Sequence, residues 1–230
     1  GPEGILTTML AAGKLQSLIL WGPPGCGKTT IARLIAEAAG YVLEPVSAVA
    51  SGVADLKKHF ETARERALMG QRTLLFIDEV HRFNRAQQDV LLPVVEDGTV
   101  TLVGATTENP SFELNSALLS RARVLVLKRL DDAALERLME RAERECASLI
   151  PPPSRGRSGG GAETQGEGGR PPTPALPREG GGRYRLPLTA EARVQLRAMA
   201  DGDGRFLLNL VEAVVDARPR EPLDEAALAG

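Results

Sequence analysis

Aromatic residues are scarce in this chain: Phe, Tyr and Trp together make up 3% of 230 residues. Hydrophobic residues still reach 43%, so any core must be aliphatic. Only two cysteines occur, Cys26 and Cys146. That excludes a disulfide framework and a cysteine-based metal site, and it suits a reducing cytosol. A formal charge of −2 removes any overall basic attraction, so contact with nucleic acid must come from a local patch or from parts of the protein beyond this chain. No apolar run is long enough to span a bilayer, and no signal peptide is visible. The expectation is a soluble, cytoplasmic chain without a membrane partner. It starts Gly1-Pro2-Glu3 without methionine and stops at Gly230, just after Asp224 opens a helical pattern. Both ends read as cut from something longer.

What is present is a phosphate-binding pattern. Gly22-Pro23-Pro24-Gly25-Cys26-Gly27-Lys28-Thr29 fits Gly, four residues, Gly-Lys-Ser/Thr, with a short apolar strand (Ser17–Trp21) before it and a helical pattern (Thr29–Ala38) after it. Glycines let backbone N–H groups turn inward around a phosphate, and the helix N-terminus adds orphan donors and its positive dipole. Lys28 would reach the β- and γ-phosphates, the Thr29 hydroxyl would ligate magnesium, and the nucleotide-contacting set runs from Gly22 to Thr30. The pattern implies a bound nucleoside triphosphate. Cys26 occupies a variable position of the pattern, where no redox role is expected.

Strand and helix signals alternate from Ser17 to Lys128. Apolar runs at Tyr41–Val46, Thr73–Ile77, Val100–Gly104 and Arg123–Leu127 are short, and Val53–Met69, Asn84–Val95 and Asn115–Leu119 read as helices. Such alternation predicts an α/β fold, a P-loop NTPase with a parallel sheet covered by helices on both faces. Asp131–Leu149, Ala190–Ala200 and Phe206–Asp216 read as three further helices, an all-helical unit. The expected division is residues 1–130 for the α/β core and 131–230 for the helical unit, interrupted over residues 150–183 by a Pro/Gly-rich stretch expected to be disordered.

The strand Leu74–Ile77 ends in Asp78 and Glu79. Ligands gather at the carboxyl ends of strands in a parallel sheet, so Asp78 is expected to hold magnesium and Glu79 to polarise the water that attacks the γ-phosphate. The strand ending Gly104-Ala105-Thr106-Thr107 is expected between these two motif strands, with Thr107 or Asn109 in reach of the attacking water. Arg121, after a short helix, suits a clamp on transition-state charge. It is expected to serve a neighbouring subunit rather than its own.

Asp78-Glu79-Val80-His81-Arg82-Phe83-Asn84, Gly104 to Phe112 and Asn115 to Arg121 together resemble the bacterial replication-associated recombination protein A family, whose eukaryotic relative is the Werner helicase-interacting protein. These are AAA+ ATPases near clamp-loader subunits and the Holliday-junction motor. The resemblance covers nearly everything outside the Pro/Gly-rich stretch. It implies an AAA+ core followed by a helical lid, and ATP and Mg2+ as ligands. It makes Asp78 and Glu79 the magnesium-binding and catalytic pair, Thr107 and Asn109 the first sensor, and Arg121 the arginine finger. Gly202-Asp203-Gly204-Arg205 resembles the Gly-Asp-x-Arg motif of the lid, which makes Arg205 the second sensor. The resemblance further implies a Mg-dependent, DNA-stimulated ATPase that remodels DNA or DNA-bound proteins at stalled or gapped forks. The implied partners are single-stranded, gapped or forked DNA, single-strand-binding protein, and copies of itself in a tetramer, in the bacterial cytosol or nucleoid. Alternative readings are a clamp-loader-like subunit or branch-migration motor, and a nucleotide-gated binding module with negligible hydrolysis. The resemblance also implies an N-terminal segment lining the adenine pocket, most of which is expected to precede this chain, and a C-terminal tetramer-building region expected to lie beyond it.

Overall fold

The structure, a computed structural model, describes residues 5–11, 15–149, 178–179, 183–217, 219 and 221–228. The chain divides into two compact units, Gly1–Arg129 and Leu130–Gly230.

The first unit carries helix α1 (Ile5–Ala11) and five strands: β1 (Leu18–Trp21), β2 (Tyr41–Ser47), β3 (Arg72–Asp78), β4 (Val100–Thr106) and β5 (Arg123–Val126). Between them lie α2 (Lys28–Ala39), α3 (Val53–Leu68), α4 (Arg85–Glu96), α5 (Pro110–Glu113) and α6 (Ser116–Arg121). All four ladders are parallel, in the order β2-β3-β4-β1-β5. β4 therefore sits between β1 and β3, as the sequence implies.

Period-two alternation sorts the aliphatic strand residues onto two faces. Leu18, Leu20, Leu74, Phe76, Val103 and Ala105 pack on one side with Met9 of α1 and Ala32, Ile35 and Ala36 of α2. Ile19, Leu75, Ile77 and Leu102 pack on the other with Leu56 and Phe60 of α3, Leu91 and Val94 of α4, and Leu118 of α6. Both faces are covered, which is why the strands read as continuous apolar runs.

Caps decide where the helices start. Asn84 accepts from the Gln87 N–H at 3.0 Å while the Gln87 side chain accepts from the Asn84 N–H at 2.9 Å. This reciprocal pair places Asn84 outside α4. Asn115 caps α6 through the Leu118 N–H at 2.7 Å. A 3₁₀ turn at Val80–Arg82 and α5, with its Asn109 cap and Pro110, carry too few residues for periodicity to announce them.

In the second unit, α7 (Asp132–Leu149), α8 (Ala190–Ala200), α9 (Gly204–Ala217) and α10 (Glu225–Leu228) enclose a core of Leu135, Met139, Leu196, Ala200, Leu207 and Val211. Arg193 of α8 reaches Glu136 at 2.7 Å and Glu143 at 2.7 Å on α7. Glu143 is buried and also accepts from the Leu186 N–H at 3.0 Å. Most of residues 150–183, expected to be disordered, lies outside the described residues. At its C-terminal boundary, β6 (Arg178–Glu179) pairs antiparallel with β7 (Arg183–Tyr184), so these residues depart from the expected disorder. Among the described residues no helix is long and apolar enough to cross a membrane.

Candidate functional site

Parallel strands bring their carboxyl ends to one edge of the sheet, and the register fixes what meets there. Trp21 is opposite Thr106, Ile77 is opposite Gly104, and Ser47 is opposite Asp78. The Gly22 N–H donates to the Thr106 carbonyl at 3.1 Å, so the phosphate-binding loop leaves the sheet directly beside the end of β4.

The loop's conformation depends on glycine at two places. Gly27 has φ 90° and ends the loop at the α2 N-terminus, a left-handed conformation that costs other L-residues about 1–2 kcal/mol. Gly22 is a matter of space, because a Cβ there would stand 2.6 Å from the Leu127 carbonyl oxygen and 2.9 Å from the Leu127 Cβ. No side chain caps α2, so its first N–H groups and its dipole face the loop's concavity. Lys28 is buried, and its ammonium donates to the carbonyls of Gly22 at 2.8 Å and Pro23 at 2.9 Å. The Cys26 sulfur lies 4.0 Å from the same nitrogen and is buried. Thr29 and Thr30 stand in the first turn of α2, and Pro23, Pro24 and Gly25 form the loop's outer arc. The result is a cation and a helix N-terminus aimed into one cradle, which is chemistry for an anion.

Two strands away, β3 ends with Asp78, and Glu79 turns the chain. Glu79 has φ 55°, a left-handed conformation rare for a residue with a side chain. The turn swings His81 back over the sheet edge. Its Nε2 lies 3.3 Å from Glu79 Oε2, and its Nδ1 lies 2.9 Å from the Thr106 hydroxyl. Thr106 is fully buried. Its hydroxyl accepts from the Glu108 N–H at 3.0 Å and lies 3.2 Å from the Glu108 carbonyl.

Residues expected at the site thus divide. The Gly22–Thr30 loop, Asp78 and Glu79 share the carboxyl edge of the sheet. At the end of β4 the hydroxyl contacting the acidic turn is that of Thr106. Thr107 is half-buried, and the Asn109 side chain accepts from the Ser111 N–H at 3.0 Å, capping α5. Arg121 lies at the other end of the sheet. With Arg123 it lines a cleft of about 550 Å³ beside Ser17, Val100 and Thr101, at the amino ends of β1, β4 and β5. Its guanidinium pairs with Glu96 of α4 and donates to the Ala117 carbonyl at 2.7 Å. Arg205 belongs to the second unit. It is exposed in the first turn of α9, where Asp203 accepts from the N–H groups of Arg205 and Phe206 at 2.8 and 2.9 Å. The sequence pattern does not single out His81 or Thr106. The one signal in the sequence is a histidine two residues beyond the acidic pair; the register that sets Thr106 beside Trp21 is visible only in the sheet.

Residues 18–130 match the family described as ATPase family associated with various cellular activities (AAA). Replication-associated recombination protein A of Escherichia coli K12 is 44% identical over 211 residues, 92% of this chain and 40% of that protein. Its namesake in Coxiella burnetii is 44% identical, over 94% of this chain and 42% of that protein. The ATPase WRNIP1 of Dictyostelium discoideum is 39% identical over 95% of this chain and 21% of that protein. Among solved structures, the Thermotoga maritima RuvB Holliday junction branch migration motor superposes with a TM-score of 0.66 at 24% identity, over 97% of this chain and 63% of that one. That likeness speaks for the fold alone. The chain spans about two-fifths of the length of the bacterial relatives it matches. On sequence similarity along more than nine-tenths of its length, the chain belongs to the replication-associated recombination protein A family of AAA ATPases.

Proposed function

We propose that this chain is the ATP-hydrolysing module of a DNA-maintenance factor that acts in replication-associated recombination and repair at stalled or gapped forks. What supports the reading most is the sheet's carboxyl edge, where an uncapped helix N-terminus with buried Lys28 and the pair Asp78–Glu79 flank the end of one intervening strand.

In this mechanism the Gly22–Thr30 loop wraps the triphosphate of ATP. Lys28 exchanges its two backbone carbonyls for phosphate oxygens. Magnesium keeps most of its waters and needs few protein oxygens. The Thr29 hydroxyl and the Asp78 carboxylate are the oxygen donors this chain would offer it. No cluster of three or more His, Cys, Asp or Glu occurs among the described residues, which suits a cation held chiefly by water and phosphate. When bound, the ion neutralises phosphate charge. Glu79 orients and polarises the attacking water, with Thr107 and Asn109 as the first sensor. Arg121 serves the site of a neighbouring copy and Arg205 acts as the second sensor, so hydrolysis depends on assembly. Single-stranded, gapped or forked DNA and single-strand-binding protein are the proposed partners of the whole protein, a tetramer in the cytosol or nucleoid.

Steady-state ATP hydrolysis with and without forked DNA carrying a single-stranded gap tests this. Turnover that DNA raises, that Lys28→Ala abolishes, and that Glu79→Gln lowers by about 10²-fold or more with nucleotide binding retained is the expected result. Full activity in Glu79→Gln would overturn the assignment of the water-polarising group. A rate indifferent to DNA in the full-length protein would remove the DNA half of the reading.

A further inference from the structure

We infer that His81 is a positioning residue for Glu79, with its imidazole anchored at Nδ1 by Thr106. This rests on the ATPase reading of the site.

The Thr106 hydroxyl has one proton and three neighbours: the Glu108 N–H, the Glu108 carbonyl and His81 Nδ1. The Glu108 N–H is a donor, so it occupies a lone pair of the hydroxyl. The hydroxyl proton then goes either to His81 Nδ1 or to the Glu108 carbonyl. If Nδ1 carried the imidazole proton, the Nε2 lone pair would face the Glu79 carboxylate at 3.3 Å, acceptor against acceptor. With the proton on Nε2, the N–H side of the ring lies against the Glu79 carboxylate at 3.3 Å, and Nδ1 can accept from Thr106. Full burial of Thr106 leaves its hydroxyl only His81 Nδ1 and the Glu108 carbonyl as partners for its proton, so the strand end anchors the ring at Nδ1 while the Glu79 carboxylate favours a proton on Nε2.

The hold on Glu79 is deliberately loose in geometry. At 3.3 Å it is longer than a charge-assisted hydrogen bond of about 2.7–2.9 Å. A carboxylate gripped that tightly would be a poor partner for water. A carboxylate left unheld would swing on a backbone already in the left-handed region at φ 55°. His81 keeps it near the end of β4, and because Thr106 pairs in register with Trp21 at the loop's root, the acid is referenced to the strand that carries the phosphate loop. The groups facing the imidazole are Glu79 from its own turn and Thr106 with the Glu108 backbone from β4 and the segment after it.

Three substitutions separate the two ring nitrogens. Glutamine places an amide near Nε2, asparagine places one near Nδ1, and alanine supplies neither. Single-turnover hydrolysis should fall about tenfold or more in His81→Ala and His81→Asn, with KM for ATP unchanged within twofold, and His81→Gln should recover most of the loss. Thr106→Val should lower kcat in the wild-type background and have little further effect in His81→Ala. Rates within twofold of wild type for all three His81 variants would overturn the inference, as would losses that follow melting temperature or nucleotide affinity.

A readout independent of hydrolysis distinguishes failure of this inference from failure of the ATPase reading. The chain has two histidines, His59 and His81, so His59→Gln assigns the imidazole ¹⁵N resonances. Wild type should show the Nε2–H tautomer at His81, Glu79→Gln should move the Nε2 resonance, and Thr106→Val should move Nδ1. A Nδ1–H tautomer, or resonances indifferent to both substitutions, would overturn the inference whether or not the chain hydrolyses ATP.

Discussion

At the scale of single residues, the acidic turn holds a conflict between stability and chemistry. Glu79 sits at φ 55°, which costs a side-chain-bearing residue about 1–2 kcal/mol. Glycine would relieve that strain, so Glu79→Gly should gain about 1 kcal/mol and raise Tm by about 2–4 °C while hydrolysis disappears. Calorimetry beside an ATPase assay checks both halves, and a lowered Tm would show that the carboxylate's contact with His81 outweighs the backbone term. This turn also marks the limit of reading residues from sequence. Gly22, Lys28, Thr29, Asp78 and Glu79 stand out in the sequence because their residue types recur at fixed spacing, and the sheet brings them to one edge. His81 and Thr106 do not stand out. Their meeting is produced by a left-handed residue that is not glycine and by strand register, and neither leaves a mark on composition.

Elements were legible wherever a cap or a period was written into the chain. Thr189 caps α8 through the Ala192 N–H at 3.2 Å, and the helix runs from Ala190 to Ala200 as its pattern predicts. What no pattern announced was how α7 and α8 are tied together. Burial pushes the Glu136 carboxyl up, but the guanidiniums of Arg193 and Arg197 outweigh it and hold the group below its ordinary 4.5. A carboxylate with a lowered pKa in the folded state contributes stability that is fully present above the unfolded value of about 4.5. That contribution is lost as pH falls through the folded value. Melting curves from pH 7 to pH 3 should therefore show Glu136→Gln below wild type at neutral pH, with the two converging in acid. Arg193→Ala would strand Glu143, buried beneath α8, and should destabilise the helical unit by about 3 kcal/mol. A loss under about 1 kcal/mol would mean that solvent already screens these carboxylates.

For the whole molecule, parallel strands alternating with helices leave few arrangements open, and the strand pattern implies β4 between the two motif strands, where it lies. The Pro/Gly-rich stretch inside the helical unit was legible as composition alone. Strand order also has a consequence for the time at which the protein comes into being. β1 and β3 never touch, for β4 joins them. A nascent chain emerging from the ribosome displays its phosphate loop and later its acidic pair, yet should remain incompetent until residues 100–106 have been made and can insert between β1 and β3. At ~5–20 residues per second, the stretch from Glu79 to Thr106 takes about 1–5 s to synthesise. Through that interval the inner edges of β1 and β3 stay open to chaperones or to one another. A fragment stopped at Gly98 should carry both motifs and bind no fluorescent nucleotide, whereas one carried through Arg129 should bind. Binding by the shorter piece would mean that the site assembles without its middle strand.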